Sequence, residues 1–258
     1  ERFEELKRGA SMARVFGLPV NIITPADVKD LVPLARVDDL VGAVHLPGDG
    51  VVNPIDVTQA LAKGARAAGV KIFENTKVDR IVVENGRAVG VIAEGEMIRA
   101  DAVVNCAGMW ARELGDSVGA TVPLHAAEHF YIVTEAVEGI SPTMPVLRDQ
   151  DGCGYFKEDA GKLLVGWFEP VAKPWGMKGI SEEFSFTSLP EDFEHIAPLV
   201  ENATHRMPLL AQTGIRLFFN GPESFTPDDR YLLGEQPEVP GLFVAAGFNS
   251  IGIQSSGG

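Results

Sequence analysis

Two short apolar runs constrain this chain more than any other feature. Ala102-Val103-Val104-Asn105-Cys106 and Leu242-Phe243-Val244-Ala245-Ala246 carry no charge, and each runs straight into a glycine, Gly108 or Gly247. Each glycine is followed by what reads as a helix start. A buried strand, a glycine turn and a helix, in that order, mark a doubly wound α/β sheet. Between the two runs the pattern changes. Glu128 to Thr134 is rich in aromatic and β-branched residues, Gly154 to Glu158 and Lys162 to Phe168 read as a hairpin around Asp159-Ala160-Gly161, and Ile215 to Asn220 reads as another strand. Only one helix, about Pro190 to Ala203, interrupts them. Strand-rich sequence with so little helix predicts an antiparallel sheet. The fold class expected is therefore α/β (α+β overall): a doubly wound layer interleaved with an antiparallel-sheet domain. The boundaries expected are 1–50 for helices and a first strand of the antiparallel domain, 51–124 for the layer, 125–218 for the antiparallel domain, and 219–258 for the layer again. A ligand is expected at the seam, where pockets tend to form.

Local signals fill in the elements. Thr24-Pro25-Ala26-Asp27 and Asn53-Pro54-Ile55-Asp56 each place a capping residue before proline, with an acid two residues after that proline, which is how helices start. The second helix carries Val57, Ala60, Leu61, Gly64, Ala65 and Ala68 on one face, and Gly69 ends it. Val70 to Phe73 reads as a strand. Val78 to Glu84 and Arg87 to Ala93 read as two more, joined by Asn85-Gly86, the strongest short hairpin signal. Met97-Ile98 begins a further strand after Glu94-Gly95. The first residues, Glu1 to Arg8, read as the middle of a charged helix, and the sequence stops soon after the Leu242 run; a fragment of a longer protein is expected.

Composition removes several function classes. The 22 Lys+Arg against 36 Asp+Glu give a net charge of -14, which repels phosphate backbones and anionic membranes, so neither is an expected partner. No apolar run approaches the ~20 residues that a spanning helix needs. The 2 cysteines, Cys106 and Cys153, lack metal-ligand spacing, so no metal site or disulfide framework is expected.

The turns after the two apolar runs expose backbone N–H groups at strand ends and suit an electron-rich ligand edge. A plain tight turn explains them equally well. His129 reads as either a histidine satisfied within a sheet or a functional one, and Tyr155 as either a packing or a pocket residue. Strand alternation puts His129, Tyr131 and Val133 on one face and Phe130 and Ile132 on the other.

The stretches "PGDGVVNPIDVTQALAKGARAAGVKI", "VVNCAGMWARELG", "HFYIVTE", "PVLRDQDGCGYFKE", "NGPESFTPDDRYLLGE" and "GLFVAAGFNSIGIQSSGG", in that order, resemble the flavin-dependent amine oxidoreductases of the D-amino-acid oxidase superfamily, within it the dimethylglycine/sarcosine dehydrogenase branch. The resemblance covers nearly the whole chain. It implies FAD as cofactor and oxidation of dimethylglycine or sarcosine by hydride transfer, with activity belonging to the full-length protein. It implies His129 beside flavin and substrate, and Tyr155 lining the amine pocket. Arg148 is the nearest cation for a carboxylate. On the cofactor side it implies backbone roles for Val78 at the adenosine, for Ala107 and Gly108 where the chain passes the cofactor, and for Gly247, Gly252 and Ile253 at the isoalloxazine. Trp110 and Trp167 are expected to pack, and Cys106 to have no redox role. No G-x-G-x-x-G precedes a ribose-binding acid here, which leaves open whether this stretch alone retains FAD. The resemblance further implies tetrahydrofolate at a C-terminal region outside the chain, oxygen or an electron-transfer flavoprotein as acceptor, and a location in bacterial cytoplasm or the mitochondrial matrix. A non-catalytic regulatory or scaffold member of the same fold is the alternative, and oxidation of another amine or of a glycerol phosphate a third reading. The scarcity of basic residues in the pocket segments counts against a phosphate.

Overall fold

A computed structural model describes residues 1–257. Along the chain run α1 (Arg2–Val15), β1 (Asn21–Ile23), α2 (Pro25–Leu31), β2 (Ala43–His45), α3 (Pro54–Ala67), β3 (Val78–Glu84), β4 (Arg87–Ala93), β5 (Glu96–Arg99), β6 (Val103–Asn105), α4 (Ala111–Asp116), β7 (His125–Ala136), β8 (Leu147–Asp149), β9 (Gly154–Asp159), β10 (Lys162–Trp167), α5 (Phe193–Arg206), β11 (Ile215–Phe225), β12 (Leu232–Glu235), β13 (Leu242–Ala246) and the single-turn α6 (Gly252–Ser255). The chain divides into two compact units. The first comprises residues 1–51, 129–171 and 188–220, and the second residues 52–128, 172–187 and 221–258. Two of the five divisions fall inside strands, one in β7 and one in β11.

The first unit is built on a five-stranded sheet in the order β11-β7-β10-β9-β8. The pairs β7/β10, β10/β9 and β9/β8 are antiparallel. The two-residue turn Ala160-Gly161, with both residues left-handed, joins β9 to β10. One face of the sheet is core. Phe130 and Ile132 of β7, Phe156 of β9, and Leu163, Val165 and Trp167 of β10 pack there with Ile196, Leu199 and Ala203 of α5. Trp167 is fully buried, and its indole N–H donates to the Leu199 carbonyl at 3.1 Å, which satisfies the one polar atom that the ring brings into the core. Asp192 caps α5, accepting from the His195 N–H at 2.9 Å. Thr24 caps α2 in a complete capping box with Asp27.

A buried cation closes the far end of this unit. Arg206, the last residue of α5, donates to Asp39 at 2.7 and 3.1 Å, to Asp149 at 2.8 Å, and to the Arg36 carbonyl at 2.7 Å. Its side chain is 7% exposed. Burial opposes its charge, but the two carboxylates outweigh that and raise its pKa. In return, the Arg206 guanidinium holds the Asp39 carboxyl well below the usual carboxylate range.

The second unit holds two three-stranded sheets, β12-β13-β6 and β3-β4-β5. β6 and β13 are parallel, with Asn105 opposite Val244, and β12 is antiparallel to β13. The two apolar runs are thus neighbouring parallel strands, as a doubly wound layer requires. Val122, Leu124, Val244 and Ala246 form one core beneath them, and Ile81, Ala88, Val239 and Leu242 another. Asn85-Gly86 turns β3 into β4 and Glu94-Gly95 turns β4 into β5, all four residues left-handed.

One expected strand is absent. Val70 to Phe73 is irregular, with Val70 53% and Phe73 67% exposed. Its composition favours a strand, but a strand needs a ladder partner, and among the described residues none lies beside it. The sequence reading also passed over the short strands β8 and β12, and gave residues 1–50 one strand where the structure has two, β1 and β2. These are three or four residues long, too short to show a period.

Candidate active-site face and cofactor turns

In the first unit, the sheet face opposite the core carries a row of aromatic and charged side chains. Register builds it strand by strand: Arg148 lies opposite Tyr155, Tyr155 opposite Gly166, and Gly166 opposite Tyr131. Tyr131 stacks on Phe219 with ring centroids 4.7 Å apart and planes at 22°. Phe168 follows β10 and gathers the rest: its ring lies 5.2 Å from His129 and 5.8 Å from Tyr155, and the Arg148 guanidinium sits over it at 4.7 Å. His129 and Tyr155 are therefore brought together through a shared aromatic neighbour. Phe168, Tyr131 and Phe219 line the same face. Burial of Tyr131, with the Asp159 charge added, raises its phenol pKa, so the hydroxyl stays protonated.

This face can do three things. The arginine can pair with a carboxylate. The phenol can donate to one, and the imidazole can exchange a proton. Behind it, on the core side, the Glu169 side chain is 6% exposed, neither of its oxygens has a hydrogen-bond partner, and it stands 3.9 Å from His195, too far for a hydrogen bond. His195 packs against Phe130, so this pair belongs to the core side and not to the row.

In the second unit the sequence-predicted residues sit on backbone features. Ala107 and Gly108 follow β6, and Gly247 follows β13. Because β6 and β13 are adjacent and parallel, the two turns emerge at the same end of the sheet, the carboxyl end where doubly wound layers bind ligands. A buried asparagine shapes each turn. Asn105 accepts from the Ala107 N–H at 3.2 Å and donates to the Ala111 carbonyl at 2.9 Å. Asn249 accepts from the Thr226 N–H at 2.8 Å and donates to the Gly247 carbonyl at 2.8 Å. Gly108, Gly247, Asn249 and Ser250 are all left-handed. A Cβ on Gly247 would lie 2.6 Å from the Thr226 methyl carbon, so that position requires glycine twice over. Ser250 donates from its N–H to Glu223 at 2.7 Å, and its hydroxyl bonds the same carboxylate. Gly252 and Ile253 begin α6, just beyond. Val78 opens β3, in the other sheet of this unit. A cleft of about 480 Å³ lies against Thr226 and is lined by Arg112, His125, Leu124, Phe225 and Pro227 among others.

Residues of this kind suit the edge of a flavin ring. The side-chain amides are spent on holding the turns, and the space where a Cβ of Gly108 would stand is open, with no heavy atom within 4 Å. Such backbone can approach a planar, electron-rich ring closely. Among the described residues no three His, Cys, Asp or Glu side chains come together as a metal site, and no helix is long and apolar enough to cross a membrane.

Comparison with known proteins adds the following. The model of the FAD dependent oxidoreductases, DAO, matches residues 1–258. Human mitochondrial sarcosine dehydrogenase is 40% identical over 263 residues, covering 100% of this chain and 28% of that protein. The mouse mitochondrial pyruvate dehydrogenase phosphatase regulatory subunit is 40% identical over 261 residues, covering 100% of the chain and 30% of that protein. The chain thus spans under a third of the length of these relatives. Among solved structures, L-proline dehydrogenase from P. horikoshii has the same fold, with a TM-score of 0.82 and 24% identity over 97% of this chain and 65% of that one.

Proposed function

The chain belongs to the family of FAD dependent oxidoreductases, and from that premise we propose that the full-length protein oxidatively demethylates an N-methylated glycine, sarcosine or dimethylglycine. The observation that carries this reading is the row on the first unit's sheet, where Phe168 touches His129, Tyr155 and Arg148. A small amino acid offers one carboxylate and one amine, and the row offers a cation, a phenol and an imidazole within reach of one ring.

When bound, FAD supplies the two-electron oxidant for the C–H bond beside nitrogen. Arg148 pairs with the substrate carboxylate and Tyr155 donates to it. Oxidation beside nitrogen needs the nitrogen lone pair, so the amine must be neutral. The aromatic floor of Phe168 and Tyr131 excludes water and disfavours the isolated ammonium, and an imidazole nitrogen of His129 takes the proton. The substrate iminium then adds water and releases formaldehyde, or its carbon passes to tetrahydrofolate at a region outside this chain. The electron acceptor would be oxygen or an electron-transfer flavoprotein, in the mitochondrial matrix or the bacterial cytoplasm. Ala107, Gly108, Gly247, Gly252 and Ile253 would hold the ring edge through their backbone, and Val78 would meet the adenosine.

His129→Ala in the full-length protein tests this: turnover of sarcosine and dimethylglycine should fall by about 100-fold or more, the scale of a lost acid–base group. Unchanged turnover of both would contradict it. A second reading, a non-catalytic regulatory member, is supported by the 40% identity to the mouse regulatory subunit, equal to that with human sarcosine dehydrogenase. Full-length protein with bound flavin but no turnover of any methylated amine would favour that reading.

A further inference from the structure

We propose that Gly166, at the centre of β10, is a positioning residue that sets where the Tyr155 hydroxyl stands; its catalytic consequence rests on the function proposed above. The row across the sheet reads Arg148, Tyr155, Gly166, Tyr131, and Gly166 is the one position in it without a side chain. The Tyr155 phenol fills that gap. A Cβ built on Gly166 would overlap Cζ and Oη of Tyr155 and come within 2.6 Å of Cε1, and these are its three nearest atoms. Gly166 is buried, and its backbone is not left-handed, so glycine is not required there for its φ. What glycine supplies is a seat. It lets the ring lie across β10 and brings the hydroxyl over that strand, beside Phe168. Any larger residue drives the end of the phenol off the strand. A displacement of about 1 Å at a substrate-orienting group is enough to cost a large factor in rate.

The chain has only 3 tyrosines, Tyr131, Tyr155 and Tyr231. Incorporation of 3-fluorotyrosine into the full-length protein, with single Tyr→Phe variants at these three positions, assigns their 19F resonances. In Gly166→Ala the Tyr155 resonance should move while Tyr231, in the other unit, stays in place. An unmoved Tyr155 resonance would overturn the proposal. In the full-length protein, Gly166→Ala should lower kcat/KM for the methylated glycine tenfold or more, and in a Tyr155→Ala background it should add less than a twofold loss, because the clash is gone. Additive losses would show that Gly166 acts some other way and would also overturn it. If Gly166→Ala impairs folding, the same logic applies to stability: Tyr155→Ala should restore it, and failure to restore it counts against the seat. Should Tyr155→Ala itself leave turnover unchanged, the functional reading fails, while the 19F shift still decides whether the phenol rests on Gly166.

Discussion

The two units present their candidate residues in different chemical terms. In the first, identity lies in side chains: an imidazole, a phenol, a guanidinium and aromatic rings stand in a row set by strand register. In the second, identity lies in backbone: Gly108, Gly247, Asn249 and Ser250 hold left-handed conformations at the ends of two parallel strands, and their polar neighbours are spent on holding the turns. The difference follows from what each would bind. A small amino acid has a few localised charges, which side chains can match one by one. A flat heteroaromatic ring edge is better met by closely approaching N–H groups, and a Cβ at the wrong place would keep the ring out.

That contrast can be tested through stability first. In the first unit the strongest side-chain device is Arg206. Arg206→Ala leaves the Asp149 carboxylate, 12% exposed, without its cation, and should cost about 3 kcal/mol in urea unfolding at pH 7. The effect should depend on pH in a definite direction. Asp39 has a lowered pKa in the folded chain, so its share of the stability is present above the ordinary carboxylate pKa of about 4 and is lost as pH falls through the lower folded value. The gap between wild type and Arg206→Ala should therefore narrow below about pH 4; a gap that widens there would be wrong for this clasp. In the second unit the matching change is Gly247→Ala. It adds one methyl group at a φ of 69°, against the Thr226 methyl, and should cost about 2 kcal/mol in the same assay. A neutral Gly247→Ala would break the claim that this turn is fixed by its backbone.

Much of this architecture was legible from short-range signals. The capping residue Thr24, the proline at the start of α3 and the Asn85-Gly86 turn act within four residues of themselves, so sequence alone shows them. The parallel strands β6 and β13 were legible because apolar runs ending in glycine have few other uses. The row on the first unit's sheet was only half visible. His129 and Tyr155 came from the family resemblance, Arg148 was named as the nearest cation, and strand alternation put Tyr131 on the face of His129, whereas Phe168, Phe219 and the place of Gly166 depend on which residues lie opposite across several strand pairs. Register is set by turn geometry and by a bulge between Lys162 and Leu164, and no single segment encodes it. The Arg206 clasp was invisible for the same reason, since Asp39 and Asp149 lie far from it in sequence. Val70 to Phe73 failed in the opposite sense: its local preference is for a strand, but a strand is not a local structure.

The most direct test sets one side chain from each unit against the other in the full-length protein. Tyr155→Phe removes a hydroxyl from the first unit's row; Ile253→Ala trims a side chain, 48% exposed, at the second unit's turn and leaves its N–H in place. The measurement is kcat/KM for sarcosine in both variants. A loss of about tenfold for Tyr155→Phe, worth about 1.4 kcal/mol, with Ile253→Ala within twofold of wild type, is what side-chain recognition in one unit and backbone recognition in the other predict. Equal losses in the two variants, or a larger one at Ile253, would contradict it.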